Sequence, residues 1–301
     1  MRRGINLGNA LDVGPDARRG WSVEVGHLDV IQDAGFDTVR IPVAWSKHAS
    51  ASVPFEIRPA FLAEVDALID AALERELEVV IDVHHYNELC ADPDGHRDRF
   101  LALWTQIGER CAELPPTVVF ELLNEPHDRL TARRWNQLLV DALAVVRDSN
   151  PDRDVLAGPA DRNTIAGLAD LDLPDDDRLI VTVHYYQPLP FTHQGAPWWP
   201  RAVDWLGTRW GSPADHDAVH DDLAAAAAWS RERDRRLFIG EFGAVTLAPA
   251  DDRVAWTERV RTVAEQLDIP WCYWDLATDF GLYDPVGRRW DESLRTALLN
   301  G

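Results

Sequence analysis

Eight short β-rich runs separated by amphipathic segments predict a (β/α)8 TIM barrel, and three observations carry that expectation. The runs are continuous apolar stretches rather than alternating ones, as strands buried on both faces of a parallel sheet require. Segments with helical spacing lie between them. A chain of 301 residues, 46% hydrophobic, suits one barrel domain spanning residues 1–301.

In chain order the strands are read at 4–9 (GINLGN), 37–43 (DTVRIPV), 78–85 (EVVIDVHH), 117–125 (TVVFELLNE), 154–159, 179–186, 237–243 and 271–276. Helical spacing covers 58–77, 97–113, 131–149, 217–233 and 251–267, so the repeat reads β then α throughout. Thr131 ahead of an apolar series, and Ser22 in GWSVEVGHLDVI, stand where helix caps belong. The acidic cluster at 172–179 leads into a strand and reads as a solvated turn. An open doubly wound sheet is the competing architecture. It wants a glycine-rich phosphate turn after the first strand, and NLGNALD supplies one Gly where that fingerprint has three.

One connection is long. Residues 187–215 (QPLPFTHQGAPWWPRAVDWLGTRWGSPAD) hold four Trp and no helical or strand period. Loops beyond about 15 residues are functional or disordered, and tryptophan is scarce in disordered chains, so this is read as an ordered binding loop. Trp210 is expected to wall a cleft, with Trp198, Trp199 and Trp205 packing beneath it.

Charge and composition narrow the partner. With 51 acidic against 30 basic residues, the net charge of −21 argues against nucleic acid or an anionic membrane and favours a neutral or cationic ligand. No run reaches the roughly 18 apolar residues of a membrane span. The opening MRRGINLGN lacks the apolar segment of a signal peptide, so the expected location is the cytoplasm, or outside the cell with a leader removed. A monomer is expected. Cys90, Cys111 and Cys272 form no CxxC pair and read as buried small hydrophobes. Thirteen Trp stand against one Met; roughly two thirds are assigned to the core, leaving flat indoles to stack on sugar rings.

In such a barrel the site lies at the C-terminal ends of the strands. There the sequence places Asn9, Arg40, His84, His85, Asn124, Glu125, His184, Tyr186, Glu241, Trp274 and Asp275. Singly, Arg40 reads as an internal salt bridge, His84 or His85 as a satisfied core histidine, and Tyr186 as core packing. Glu125 and Glu241 are different, because a carboxylate closing a buried strand is expensive unless paired or functional. Two carboxylates facing one cavity are what glycoside hydrolysis requires. Glu125, shielded between Asn124 and Pro126, suits the proton-holding role, and Glu241 is expected to be kept ionised by Arg40 and the Tyr186 hydroxyl. His184 and Tyr186, two residues apart on a strand, share one face.

The stretches VRIPVAW, VHHY, ELLNEPHD, VHYYQPLPFTHQG, GEFGA and CYWDL, in this order, resemble glycoside hydrolase family 5, retaining β-glycanases on TIM barrels, over essentially the whole chain. LNEP together with GEFG is the most specific pair. The resemblance implies Glu125 as acid/base, Glu241 as nucleophile, Asn124 at the sugar 2-hydroxyl, and Arg40 with Tyr186 beside the nucleophile. It further implies His84 and His184 in the polar lining, His85 as a sugar contact and Trp274 as a stacking platform. The implied activity is endo-hydrolysis of β-1,4-linked glucans (cellulose, mixed-linkage glucan, glucomannan), extending to mannan, without a cofactor. Asp12 in GNALD and Asp275 in YWDL stand where chains of this resemblance carry Glu; the shorter carboxylates are expected to reach sugar hydroxyls through water.

Two other classes compete. A metal-dependent TIM-barrel hydrolase is suggested by ten His, among them His84 and His85. Adjacent strand residues face opposite ways, however, and there is no HxH or HExxH. His216 and His220 share a helix face with no third ligand near in sequence, and DPDGHRDRF (92–100) has Leu103 where a calcium loop has its bidentate Glu, so no metal is expected. A non-catalytic sugar-binding barrel would have lost one of the two glutamates, and both are present.

Overall fold

Runs of Val, Ile and Phe form eight strands: β1 (Arg3–Asn6), β2 (Thr38–Ile41), β3 (Glu78–Asp82), β4 (Val118–Glu121), β5 (Val155–Ala157), β6 (Leu179–Tyr185), β7 (Arg236–Phe242) and β8 (Trp271–Tyr273). The computed structural model describes residues 1–14 and 21–300, and in it these strands close in chain order into a parallel barrel, β1 pairing with both β2 and β8. Most strands stop earlier than the sequence predicts. Pairing ends at Asn6 instead of residue 9, at Asp82 instead of 85 and at Glu121 instead of 125. The backbone peels off the ladder as it crosses the rim, so several residues expected to close strands lie on loops just above them.

Alternation along the strands fills the barrel in layers. Val80, Val119, Leu156, Ile180, Phe238 and Cys272 form one apolar cluster inside it. Two residues further along β3 and β4 come Asp82 and Glu121, which pair with each other, while Asn6 of β1 pairs with Arg40 of β2; all four are fully buried. The barrel therefore changes from apolar to charged within one layer, below the rim.

The outer ring contains α1 (Val25–Ala34), α2 (Pro59–Leu73), α3 (Asn87–Ala91), α4 (Pro93–Arg110), α5 (Ala132–Ser149), α6 (Leu189–Thr192), α7 (Pro213–Glu232), α8 (Ala250–Gln266) and α9 (Glu292–Leu299). In α5 the buried residues Trp135, Leu138, Leu139, Ala142, Leu143 and Val146 repeat at helical spacing and cover the sheet. Truncating Leu139 to Ala would cost about 2–5 kcal/mol. Two expectations are corrected. Helix α1 starts at Val25 rather than near Ser22, because the Glu24 amide donates to His27 Nδ1 at 2.9 Å and closes the first turn there. Between β5 and β6 the described chain makes only a 3-10 turn, Ala166–Asp170, in place of a full helix.

Tryptophan fastens this ring to the rim. The indole N–H of Trp45 donates to the carbonyl of Asp82, that of Trp104 to Leu122, that of Trp135 to Gly158 and that of Trp256 to Gln187, at 2.8–3.0 Å. Each acceptor lies at or just beyond the end of β3, β4, β5 or β6, where the ladder has run out of partners.

Candidate active site

Glu241 reaches the barrel interior because β7 carries one extra residue. Against β6, Val183 pairs with Ile239 but His184 pairs with Glu241, so Gly240 is skipped. Strict alternation from the inward Phe238 would send Glu241 outward; the bulge re-aims it. Only glycine fits there, since a Cβ on Gly240 would stand 2.6 Å from Thr182 Oγ1 and 3.2 Å from His184 Nε2. Its carbonyl is satisfied by Asn6 Nδ2 at 3.0 Å.

Arg40 organises the charged layer. Its Nη1 donates to Glu241 Oε1 at 2.8 Å, Nε to Glu121 Oε2 at 2.7 Å and Nη2 to Asn124 Oδ1 at 2.8 Å, with Asp82 Oδ2 also 2.8 Å from Nη2. The Tyr186 hydroxyl donates to Glu241 Oε2 at 2.8 Å. Burial pushes the Glu241 carboxyl up from its ordinary value, while His184, Arg40 and the Tyr186 hydrogen bond oppose that shift. With a guanidinium and a hydroxyl both in direct contact, Glu241 is the carboxyl of the pair that favours the anion. Tyr186 itself is held protonated far above its usual range by burial and by Glu241, so it remains a donor.

Glu125 lies four residues past the end of β4 with left-handed backbone (φ 48°), as do Asn9 (φ 58°) and His85 (φ 52°). Such conformations cost of order 1–3 kcal/mol each in non-glycine residues and gather at functional sites. Its Oε1 sits 2.9 Å from His184 Nδ1, and the same nitrogen is 3.5 Å from Glu241 Oε2. One donor atom each from Glu125, His184 and Glu241 lies within 4.8 Å of the other two. Burial raises the Glu125 carboxyl's proton affinity, opposed by Arg162, His127 and Arg40. Burial lowers that of His184, so the imidazole between the two carboxyls tends to neutrality.

The floor is built on His84 and Trp274, parallel rings 5.7 Å apart at 5°. His84 Nδ1 lies 2.7 Å from Asp82 Oδ2, which fixes the ring and leaves Nε2 for the cavity. His85, adjacent but turned, faces Asp12 at 3.6 Å. Here two expectations are corrected: neither Asp12 nor Asp275 lines the cleft. The bridge between Leu11 and Val43 draws Asp12 beneath His85, where its carboxyl is fully buried and raised to about 8 by burial, with no hydrogen-bond partner among the described residues. Asp275 is spent on Thr278, accepting from its hydroxyl at 2.5 Å and its amide at 3.2 Å.

These groups open into a cleft of about 1800 Å³, larger than a typical small-ligand pocket and fit for several sugar rings. Asn9, His84, His85, Asn124, Glu125, His184, Tyr186, Glu241 and Trp274 all line it, and Arg40 supports it from below. Trp210 does not. The segment before it is pinned when Arg209 pairs with Asp252 of α8 and the Trp210 amide donates to the same carboxylate at 3.0 Å, turning the ring inward against Phe191 and His216. Trp198, 49% exposed, and Trp199 line the cleft instead. Sequence reasoning also missed Asp82, Glu121 and Asn6 inside the barrel, and Asp161, Arg162 and Asn163 at the rim. The signal for the first group was a polar residue two positions after an inward apolar one; the second lies on a loop with no period.

Asp12, His84 and His85 form a second set whose donor atoms lie within 4.8 Å of one another, so this trio and the Glu125, His184, Glu241 trio are the groups among the described residues that could hold a cation.

Known proteins share this fold. The cellulase (glycosyl hydrolase family 5) model matches residues 22–279. Endoglucanase H of Acetivibrio thermocellus is 31% identical over 306 residues, covering 100% of this chain and 33% of that protein, so the chain spans about a third of its length. Cellodextrinase A of Ruminococcus flavefaciens is 28% identical over 276 residues, 87% of this chain and 81% of that one. Thermotoga maritima Cel5A in complex with cellobiose superimposes with a TM-score of 0.98 at 42% identity, over 99% of this chain and 97% of that one. Its mannotriose complex gives 0.98 at 41%, with the same coverage. With the family model spanning most of the barrel and Glu125 and Glu241 facing one cleft, the chain belongs to glycosyl hydrolase family 5, the cellulase family.

Proposed function

We propose that this chain, acting as one monomeric barrel domain, is a retaining endo-β-1,4-glucanase that also accepts mannan. The observation that carries the reading is the Glu125, His184, Glu241 group, whose donor atoms fall within 4.8 Å of one another. Two carboxyls this near to one another suit the roughly 5–5.5 Å of double displacement better than the roughly 6.5–9.5 Å of an inverting pair.

In the first step the Glu241 carboxylate attacks the anomeric carbon, the bond to the leaving oxygen breaks, and Glu125 delivers its proton to that oxygen. In the second, Glu125 as carboxylate takes a proton from water, whose oxygen attacks the same carbon and releases Glu241. Asn124 presents its amide NH2 to the sugar 2-hydroxyl, since its Oδ1 is engaged by Arg40. Trp274 stacks on the ring, and His84 and His85 hold hydroxyls at its edge. Glucose and mannose differ in the orientation of the 2-hydroxyl, and the description of Cel5A with cellobiose and with mannotriose supports tolerance of both.

Proton NMR of the first product tests the mechanism: retention of the anomeric configuration is expected, and an inverted first product overturns it. Reducing ends released from cellulose, mixed-linkage glucan, glucomannan and mannan test the substrate. Activity confined to a sugar outside this group would refute the assignment.

A further inference from the structure

Beside Glu125 the chain makes a left-handed turn. Asp161, Arg162 and Asn163 are three consecutive non-glycine residues in left-handed backbone, with φ of 67°, 59° and 54°. The turn is tied on both sides to the site. The Arg162 amide donates to the carbonyl of Pro126, next in sequence to Glu125, at 3.1 Å, and the amide of His184 donates to the carbonyl of Asn163 at 2.8 Å. The Asn163 side chain is buried with Nδ2 3.3 Å from His184 Nε2. The middle residue is thereby aimed: Arg162 Nη1 lies 3.7 Å from Glu125 Oε2, with its side chain 45% exposed. Among the described residues it is the only Arg or Lys lining the cleft, whose other charged walls are Asp and Glu.

We propose that Arg162 is a positioning residue that orients the Glu125 carboxyl and sets the pH at which it gives up its proton, an inference that rests on the acid/base role assigned to Glu125 above. The groups facing Glu125 are His184 from β6, Arg40 from β2, Glu241 and Tyr186 across the cavity, His127 on its own loop, and Arg162. Of these, His184 bridges both carboxyls, and Arg40 is committed to Glu121, Asn124 and Glu241. Arg162 alone pairs with Glu125 and with no other side chain among the described residues. Burial alone would hold the proton on Glu125 through both steps; the neighbouring cation favours the carboxylate that the second step needs.

The sign follows. Removing the cation raises the proton affinity of Glu125, so the alkaline limb of kcat/KM, where the acid is lost, moves to higher pH. For Arg162→Met a displacement of about half to one pH unit is expected, reduced by solvent screening at a half-exposed pair. The acid limb, which reports Glu241, should stay in place, and Arg162→Lys should restore most of the wild-type profile. Since the side chain is half-exposed, the fold should hold, which a melting curve checks.

The companion variant Glu125→Gln separates two failures. If it leaves the alkaline limb of the wild-type profile intact, Glu125 is not the acid and the reading beneath this proposal falls. If it abolishes that limb while Arg162→Met leaves the limb unmoved, or changes only KM, then Arg162 is at most a sugar contact and the present inference is overturned.

Discussion

Arg40 Nη1 stands 2.8 Å from Glu241 Oε1 inside the barrel, and the same guanidinium contacts Glu121 and Asp82. One cation thus answers three buried carboxyls. Arg40→Met should be strongly destabilising, by about 3–5 kcal/mol, because it strands buried charge rather than merely losing contacts. Urea denaturation measures this, and a loss below about 1 kcal/mol would show that the carboxyls relax into solvent or take up protons cheaply.

The two glutamates should separate by substrate. Glu241→Ala should abolish turnover of every β-glycoside, since no covalent intermediate forms. Glu125→Ala should still be glycosylated by an aryl glycoside whose leaving group needs no proton, and added azide should then restore turnover and give the β-glycosyl azide. Residual turnover of the activated substrate by Glu241→Ala, or an α-azide from Glu125→Ala, would reverse the assignment.

The tryptophans of the long loop should divide by burial. Trp198→Ala is expected to weaken hydrolysis of long chains by roughly 0.5–1.5 kcal/mol of lost stacking while the melting temperature holds. Trp210→Ala, by contrast, removes a ring that is 5% exposed and should cost about 3–5 kcal/mol of stability. Thermal melts beside polysaccharide kinetics read both. Equal melting temperatures for the two variants would contradict the packing described for Trp210.

Asp12 should make stability fall with rising pH. Its carboxyl binds a proton up to about pH 8 in the folded chain, but only to about pH 3.9 when unfolded. Its favourable contribution is therefore complete below the unfolded value and lost as pH climbs to the folded one. Asp12→Asn carries no such loss, so its stability relative to the parent should grow between about pH 5 and pH 8. Melting temperatures across that range test the sign; a constant difference would place the carboxyl in water.

Much of this was legible in the chain. Continuous Val and Ile runs mark strands buried on both faces, and Glu125 and Glu241 stand out because nothing apolar explains a carboxylate at such an end. Trp210 was misplaced because the deciding partner, Asp252, lies on a helix 42 residues away, and RWGSP carries no trace of it. The inward Asp82 and Glu121 were hidden by reading EVVID and VVFE as uniformly apolar, although alternation from Val80 and Val119 assigns them to the interior. Arg162 was invisible for another reason. Its backbone conformation is imposed by ties to Pro126 and His184, and local propensity does not predict it.

The skipped glycine gives β7 two parities. Below Gly240 the even-numbered positions of that strand face the axis; at Glu241 an odd one does. In that strand the packed lower part and the end that faces the cleft are therefore out of phase, joined through a single residue. Lower-layer side chains can be exchanged for others of like volume without moving the carboxylate above them. Deleting Gly240 would restore regular alternation with Glu241 still inward, whereas drawing Gly240 itself into the ladder opposite His184 would evict Glu241 to the outer face while leaving every apolar layer beneath it in place. The result would be a well-folded barrel whose proposed nucleophile faces away from the cleft.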